Sequence, residues 1–376
     1  MCSCFRIPLV FSIFLVISCG PETKDFNNLK EIYYAGEQTI NQEVWIEEDE
    51  KLIIEAGARL IFGPQGSFQI KGEFEARGTT EKPISLAGND EVAAHTIIYA
   101  HNNNAIFFIL EHALITNGLI ISEAENNQFY EVHFENDKTL TSNEACIRIW
   151  NGAFSFENGS IKSNNTGEGL LIHGAEMPRV INSRFERIPD AVEFLDSNNG
   201  IISDCIFINM SDDAIDNNNC RNTQIINNEF YGVGDRALEI GSDGFGASSD
   251  IAIDNNLFVH CEKGIAIKES SSAFINQATF YHTRLNIELL NEEEAAFESS
   301  LNIENSVMSG DHAWVKEDAN TTMIYSNLMS DKIINGMNQV FLTDILFTNP
   351  DSLDFSIIST DFPDGQNAKS MGYQLN

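Results

Sequence analysis

Phenylalanine recurs through the middle of this chain at a nearly fixed interval, and that interval constrains the fold more than any other feature. Phe185, Phe207, Phe230, Phe258 and Phe280 are separated by 22, 23, 28 and 22 residues. Three positions before each stands a short polar residue or its homologue: Asn182, Asp204, Asn227, Asn255 and Gln277. The long interval holds Ser242-Asp-Gly-Phe-Gly-Ala-Ser248, a glycine-rich insertion that reads as a loop. Taking out about five or six residues there restores the period. A second strand-like run follows each Phe: Ala191-Val-Glu-Phe194, Ala214-Ile-Asp-Asn217, Ala237-Leu-Glu-Ile240 and Gly264-Ile-Ala-Ile267. Alternation within these runs sends Val192, Ile215, Leu238 and Ile265 inward and Glu193, Asp216, Glu239 and Ala266 outward.

A leucine-rich repeat has a similar period, but it wants Leu at fixed offsets, whereas the recurrent large residue here is Phe with Asn before it. The pattern fits an all-β, single-stranded right-handed parallel β-helix. One turn of that solenoid takes roughly 20–25 residues in three short strands and stacks on the next at about 4.8 Å. Like residues then lie over like, Phe on Phe and Asn on Asn, and side-chain ladders account for the abundance of Asn at turns without invoking a site. The stretch from Leu52 through Gly63 and Phe68 to Gly78 reads as the start of the coil and resembles the N-terminal coils of bacterial β-helix lipoproteins, with Gly closing each turn. Residues 92–165 are less regular but keep strand-sized apolar runs. The segment from Asp354 to Tyr373 resembles the tail that caps such helices, since an uncovered end would template aggregation. Residues 30–376 are therefore expected to form one domain of 12–13 turns, about 60 Å long.

The N-terminus carries an address. Arg6 precedes an apolar run, Ile7 to Ile17, that is too short to span a bilayer. It ends in Val16-Ile17-Ser18-Cys19-Gly20, which resembles the bacterial lipobox. The resemblance implies removal of residues 1–18, acylation of Cys19, and a lipid-bilayer partner at the bacterial cell envelope, with the outer membrane as the expected location. Residues 19–29 read as a polar tether, and their acids resemble the export signals of some surface-displayed lipoproteins. Four cysteines remain in the body, Cys146, Cys205, Cys220 and Cys261; without CxxC or metal spacing they read as small buried hydrophobes.

Composition then limits the partners. The chain has 56 acidic and 22 basic side chains, a net charge of −34. Nucleic-acid binders need basic surface to displace phosphate counterions, so that class is excluded. With 43% hydrophobic residues the chain is no disordered tail. No Ser-His-Asp arrangement, phosphate loop or dinucleotide fingerprint is present. A monomer is expected.

Aligning the second strands turn by turn places Asp190, Asp213, Arg236 and Lys263 in one column, beside Glu193, Asp216, Glu239 and Ala266. Asp212 adjoins Asp213, and Asp235 adjoins Arg236. Carboxylates on adjacent turns perturb each other's ionisation. Glycoside hydrolysis needs such a pair, one protonated to donate to the leaving oxygen and one ionised. The same geometry also yields a vertical ion-pair ladder with no catalytic role, worth about 0–1 kcal/mol per pair if exposed.

These residues resemble the polygalacturonase family over 188–268. Asp190, then Asp212-Asp213, then Asp235-Arg236-Ala-Leu-Glu-Ile-Gly-Ser242, then Gly264-Ile-Ala-Ile-Lys268 follow the order and spacing of its four signature blocks. The resemblance implies Asp190, Asp212 and Asp213 as catalytic carboxylates and Arg236 and Lys268 as substrate contacts, with Asp235 and Glu239 alongside. Three positions depart. Arg236 stands where the family has His, Ala266 where it has Arg, and Ile188-Pro189 where it has Asn-Thr. The stretch also resembles bacterial β-helix proteins from which no activity follows. Apart from calcium, for which Asp212, Asp213, Asp235 and the Asp243 loop are the candidate ligands, no cofactor is indicated. The negative surface repels polyuronates, so the expected glycan is neutral or calcium-bridged. The chain is thus expected to bind polysaccharide at the envelope, with glycoside hydrolase or lyase-like cleavage as an added activity. A non-catalytic structural or adhesion module is the alternative.

Overall fold

The computed structural model describes residues 29–89, 94–101, 107–138, 140, 144–241, 246–291, 298–309, 315–317, 321–326, 328–330, 340–342, 347–350 and 354–357. The leader 1–18, Cys19, all of the tether except Leu29, and Asp243 lie outside them, as do residues 358–376, which include most of the expected cap.

The chain winds as a parallel β-solenoid in which each turn contributes to three strand columns. The column that carries the candidate site is a separate sheet of twelve parallel strands, from Glu43–Ile46 to Val315–Glu317. Eleven turns separate its first and last strands, and the other two columns run further among the described residues, to Thr321–Ser326 and Val340–Leu342. The other two columns form one hydrogen-bonded sheet, because Phe107–Thr116 and Asn126–Glu135 run through the corner between them. Each of these long strands bends at one left-handed residue, His112 (φ 47°) and Glu131 (φ 52°). In later turns the same corner is made by Asn182, Asp204, Asn227, Asn255, Gln277 and Asn305, all at positive φ. The Asn three residues before each Phe is therefore a one-residue corner, a conformation Asn and Asp tolerate better than other side chains.

The ladders are present as well. Asn227 Nδ2 donates to Asp204 Oδ1 at 3.1 Å, and Asn255 Nδ2 to Asn227 Oδ1 at 2.8 Å. A second ladder lies inside the coil. Asn256 Oδ1 accepts both the backbone N–H and Nδ2 of Asn228, while Asn228 Oδ1 accepts the N–H of Cys205. Beside it the rings of Phe185, Phe207, Phe230, Phe258 and Phe280 stack at 5.1, 4.9, 5.0 and 4.7 Å, within 10° of parallel. Phe134 and Ile161 precede this file and Met308 follows it. Small residues make room for the rings: a Cβ on Gly264 would come within 2.6 Å of the Phe280 ring.

At the start of the coil Gly66 and Gly72 allow close turns, since a Cβ there would meet the Ile40 and Glu50 carbonyls at 1.8 and 2.0 Å. At the far end Asp354–Ile357 pairs with Phe347–Asn349, the one antiparallel pairing among the described residues. The four body cysteines are buried free thiols, and burial pushes each up to about 12.

Candidate functional site

The site lies on the outer face of the twelve-stranded sheet, where Glu168–His173, Asp190–Leu195, Ile215–Asn218, Arg236–Ile240 and Lys263–Ile267 stack. Each strand there opens with two consecutive inward residues: Ala191 and Val192, Ala214 and Ile215, Ala237 and Leu238 are all fully buried. The residue just before them is thereby set at the rim of the sheet. The registers Glu193↔Asp216↔Glu239↔Ala266 and Arg236↔Lys263 are those expected from the sequence.

The rim carboxylates connect one turn to the next. Asp190 Oδ1 accepts the N–H of Asp213 at 3.0 Å, and Asp213 Oδ1 accepts the N–H of Arg236 at 2.6 Å. Asp213 Oδ2 pairs with Arg236 Nη1 at 3.2 Å. That guanidinium nitrogen also reaches Asp235 Oδ2 and Glu239 Oε2, both at 2.8 Å. Lys268 Nζ closes on Glu239 Oε2 at 2.7 Å, and Lys263 Nζ on Asp235 Oδ1 at 2.9 Å. Asp190, Asp213, Asp235, Arg236, Glu239 and Lys268 thus come together in one network, with an Asp212 carboxylate oxygen within 4.8 Å of those of Asp213 and Asp235.

The network is not the exposed ladder allowed for above. Asp213 and Glu239 are only 5% and 4% exposed, and Lys268 is buried too. Glu193 and Asp216, expected to face outward, do so but are half-buried, and Asp216 Oδ1 is an enclosed oxygen with no hydrogen-bond partner. Alternation shows which face of a sheet a side chain occupies, not what covers that face. Breaking a buried pair costs about 3–5 kcal/mol, well beyond an exposed one. Asp212 alone among the candidate carboxylates is exposed.

Burial also moves these groups toward neutral pH. Asp213 is pushed up to about 7, by burial first and then by Glu239, with Arg236 opposing. Asp190 rises to about 6, mainly by burial, with Asp212 adding and the Asp213 N–H opposing. Asp216 is driven well above the usual carboxylate range by burial and then by Asp213 and Glu239. One turn earlier Glu168, a position the sequence reading passed over, rises to about 7 through burial, Glu193 and Asp190. Carrying the Asp190 column back one turn, to Gly167-Glu-Gly-Leu, would have found it.

Two sets of oxygens lie within 4.8 Å of one another and could hold a metal ion: Asp212, Asp213 and Asp235, and Asp213, Asp216 and Glu239. In the first set Arg236 and Lys263 already neutralise two of the three carboxylates, and in the second Arg236 and Lys268 do so. A divalent cation at either would meet fixed positive charge.

Coil, registers and face together define a right-handed parallel β-solenoid of pectin-lyase-like architecture. Residues 84–280, just over half of the chain, match the family described as right handed beta helix region, and the chain belongs to that family. Among proteins of curated function none matches the sequence. The fold is similar to that of the PL6-family alginate lyase AlyGC, with a TM-score of 0.62 and 12% identity over 91% of this chain and 53% of the lyase. It is also similar to a mannuronic acid specific polysaccharide family 6 lyase from human gut microbiota, with a TM-score of 0.50 and 10% identity over 86% and 87% of the two chains. The chain spans about half the length of the first of these. At such identities the likeness establishes the fold. Among the described residues no helix is long and apolar enough to cross a membrane.

Proposed function

We propose that this protein binds polysaccharide along the outer face of its twelve-stranded sheet, tethered to a bacterial envelope through acylated Cys19. The observation that carries the reading is the long sheet face itself, in which one rung after another presents side chains in register to a linear ligand. Support comes from the lyases of similar fold, whose names record action on alginate and mannuronic acid polymers. The net charge of −34 favours a neutral chain over a uronate. Arg236 and Lys268, held on Glu239, organise the face more than they reach from it.

Cleavage is a second reading, favoured by one specific feature. Asp190 stands near neutrality, as a general acid must, and the accessible Asp212 belongs to the same cluster. Against it, both oxygens of Asp213 are already hydrogen-bonded to Arg236. Affinity electrophoresis through gels containing neutral or acidic polysaccharides, with assays for reducing ends and unsaturated products, separates the readings. Retardation without product is expected. Product that disappears in Asp212→Asn would make the protein an enzyme, and neither retardation nor product would reject both readings. Loss of palmitate labelling in Cys19→Ala is expected for the anchor; labelling that persists would remove it.

A further inference from the structure

The outward column that carries Asp216 and Glu239 changes character toward the N-terminus. Followed back through the registers it reads Glu193, Leu171, Arg148, Ile121, Tyr99, Gln69 and Trp45. Its first three rungs are aromatic and amide rather than acidic. Trp45 is 44% exposed, unusual for the largest apolar side chain on a sheet whose other face is core. Its ring is nonetheless fixed. The His101 ring lies parallel to it at 5.4 Å and stacks in turn on Tyr99 at 4.1 Å. His101 Nε2 contacts Gln69 Oε1 at 2.8 Å, and Tyr99 OH donates to Glu123 Oε1 at 2.7 Å. Lys71, tied to Glu47 at 3.1 Å, places its ammonium 4.7 Å from the indole centroid.

Beside the indole lies an open recess of about 600 Å³, lined by Gln42, Glu43, Trp45 and Gln65. The Gln42, Glu43 and Gln65 side chains carry no hydrogen bond to another described residue. A held aromatic plane flanked by disengaged amide and carboxylate groups matches one chemistry closely. A pyranose ring offers an apolar C–H face to the indole and a rim of hydroxyls to the polar groups. Preorganisation of the indole lowers the entropic cost of that contact. The lining of the recess holds no cation; Lys71, beside the indole, is already paired with Glu47, and no arginine fork for a uronate carboxylate is present in the lining. Four turns further along the same sheet, about 19 Å away by strand spacing, Trp150 is again 36% exposed, beside His173.

We propose that the Trp45 recess is a binding subsite for a neutral sugar ring. Trp45 is the stacking platform, Gln42, Glu43 and Gln65 are the hydroxyl partners, and Trp150 is a second platform for the same extended chain. The proposal rests on the reading that this face binds polysaccharide, and it names the class: an uncharged stretch of a linear glycan.

The test uses the full chain. Its three tryptophans are Trp45, Trp150 and Trp314, so replacing the last two by Phe leaves Trp45 as the sole indole reporter. Hexasaccharides of β-1,4-linked glucose, mannose and xylose serve as neutral probes, with a galacturonate hexasaccharide as the charged one. A saturable change in Trp45 emission with a neutral probe is expected, with Trp45→Ala weakening binding about tenfold or more, equivalent to about 1.4 kcal/mol. Losing the contacts with His101 and Lys71 should lower the thermal midpoint of that variant by a few degrees only, so it is folded where binding is measured. Polysaccharide retention that survives Trp45→Ala with undiminished affinity, or an emission change with the uronate alone, would overturn this subsite and leave the binding face standing. A protein that retains no polysaccharide at all would overturn both.

Discussion

Asp190 has two physical roles that pull in opposite directions. Its Oδ1 satisfies the backbone N–H of Asp213 on the next turn, which stabilises the coil. Its charge is half-buried among Asp212, Glu239 and Asp235, which opposes folding once the group ionises. The folded-state value near 6 lies above the unfolded value of about 3.9. Between those two the folded protein therefore holds the extra proton, and the group's contribution falls as pH rises through about 6. Asp190→Asn keeps the acceptor and removes the charge. We expect it to be more stable than wild type at pH 8 by on the order of 1–2 kcal/mol, allowing for partial exposure, and equal to it near pH 4. Asp190→Ala leaves a backbone donor without its partner and should cost about 1–3 kcal/mol at pH 4. Denaturant midpoints at the two pH values decide the matter; an Asn variant no more stable than wild type at pH 8 would show that the charge carries no cost.

The corner is the element on which the coil depends, and its two asparagines differ in kind. Asn255 makes the bend at φ 51° with its side chain on the outer ladder, whereas Asn256 points inward and holds Asn228 through both the backbone N–H and the side-chain amide. Asn256→Ala should cost about 1–3 kcal/mol, because a buried N–H loses its acceptor. Asn255→Gly, at a left-handed position glycine adopts freely, should change stability by well under that. Equal losses in thermal unfolding would mean the inner ladder has no special weight. The spacing of Phe185, Phe207 and Phe230 already contained this element, because one repeat is one turn and the stacked rings follow from it. Alternation likewise gave the inward file of Val192, Ile215, Leu238 and Ile265. The left-handed corner was not legible, since Asn before Phe is equally a ladder residue. Nor was the burial of Glu239 and Asp213, because the cover over that face comes in part from Arg236 and Lys268, which belong to different turns. Glu168 escaped because its strand precedes the first clear Phe repeat.

For the whole molecule the raised carboxylates act together. Glu168 and Asp213 stand at about 7 and Asp190 at about 6, with Glu193 and Asp216 displaced the same way by burial. All are above their unfolded values of about 4. Across the interval from about 4 to 7 the folded chain therefore binds more protons than the unfolded one, and stability must decline as pH rises through it. Other carboxylates oppose this at lower pH. Glu75 is held down chiefly by Lys51, and Asp196 by Asn219 and then His173, so their stabilisation is lost as the medium becomes strongly acid. The thermal midpoint should thus climb as pH is lowered from 8 toward 5 and fall again below about 4. Self-repulsion of a chain at −34 gives the same slope above pH 5, but through exposed charges that salt screens. Scanning calorimetry across pH 4–8 at low salt and again near 1 M separates the two causes, since the Debye length there is about 3 Å. A slope that survives high salt belongs to the two adjoining columns, Glu168, Asp190 and Asp213 in one and Glu193 and Asp216 in the other. A slope that vanishes would assign the pH dependence to the surface and leave those columns with no measurable energetic cost.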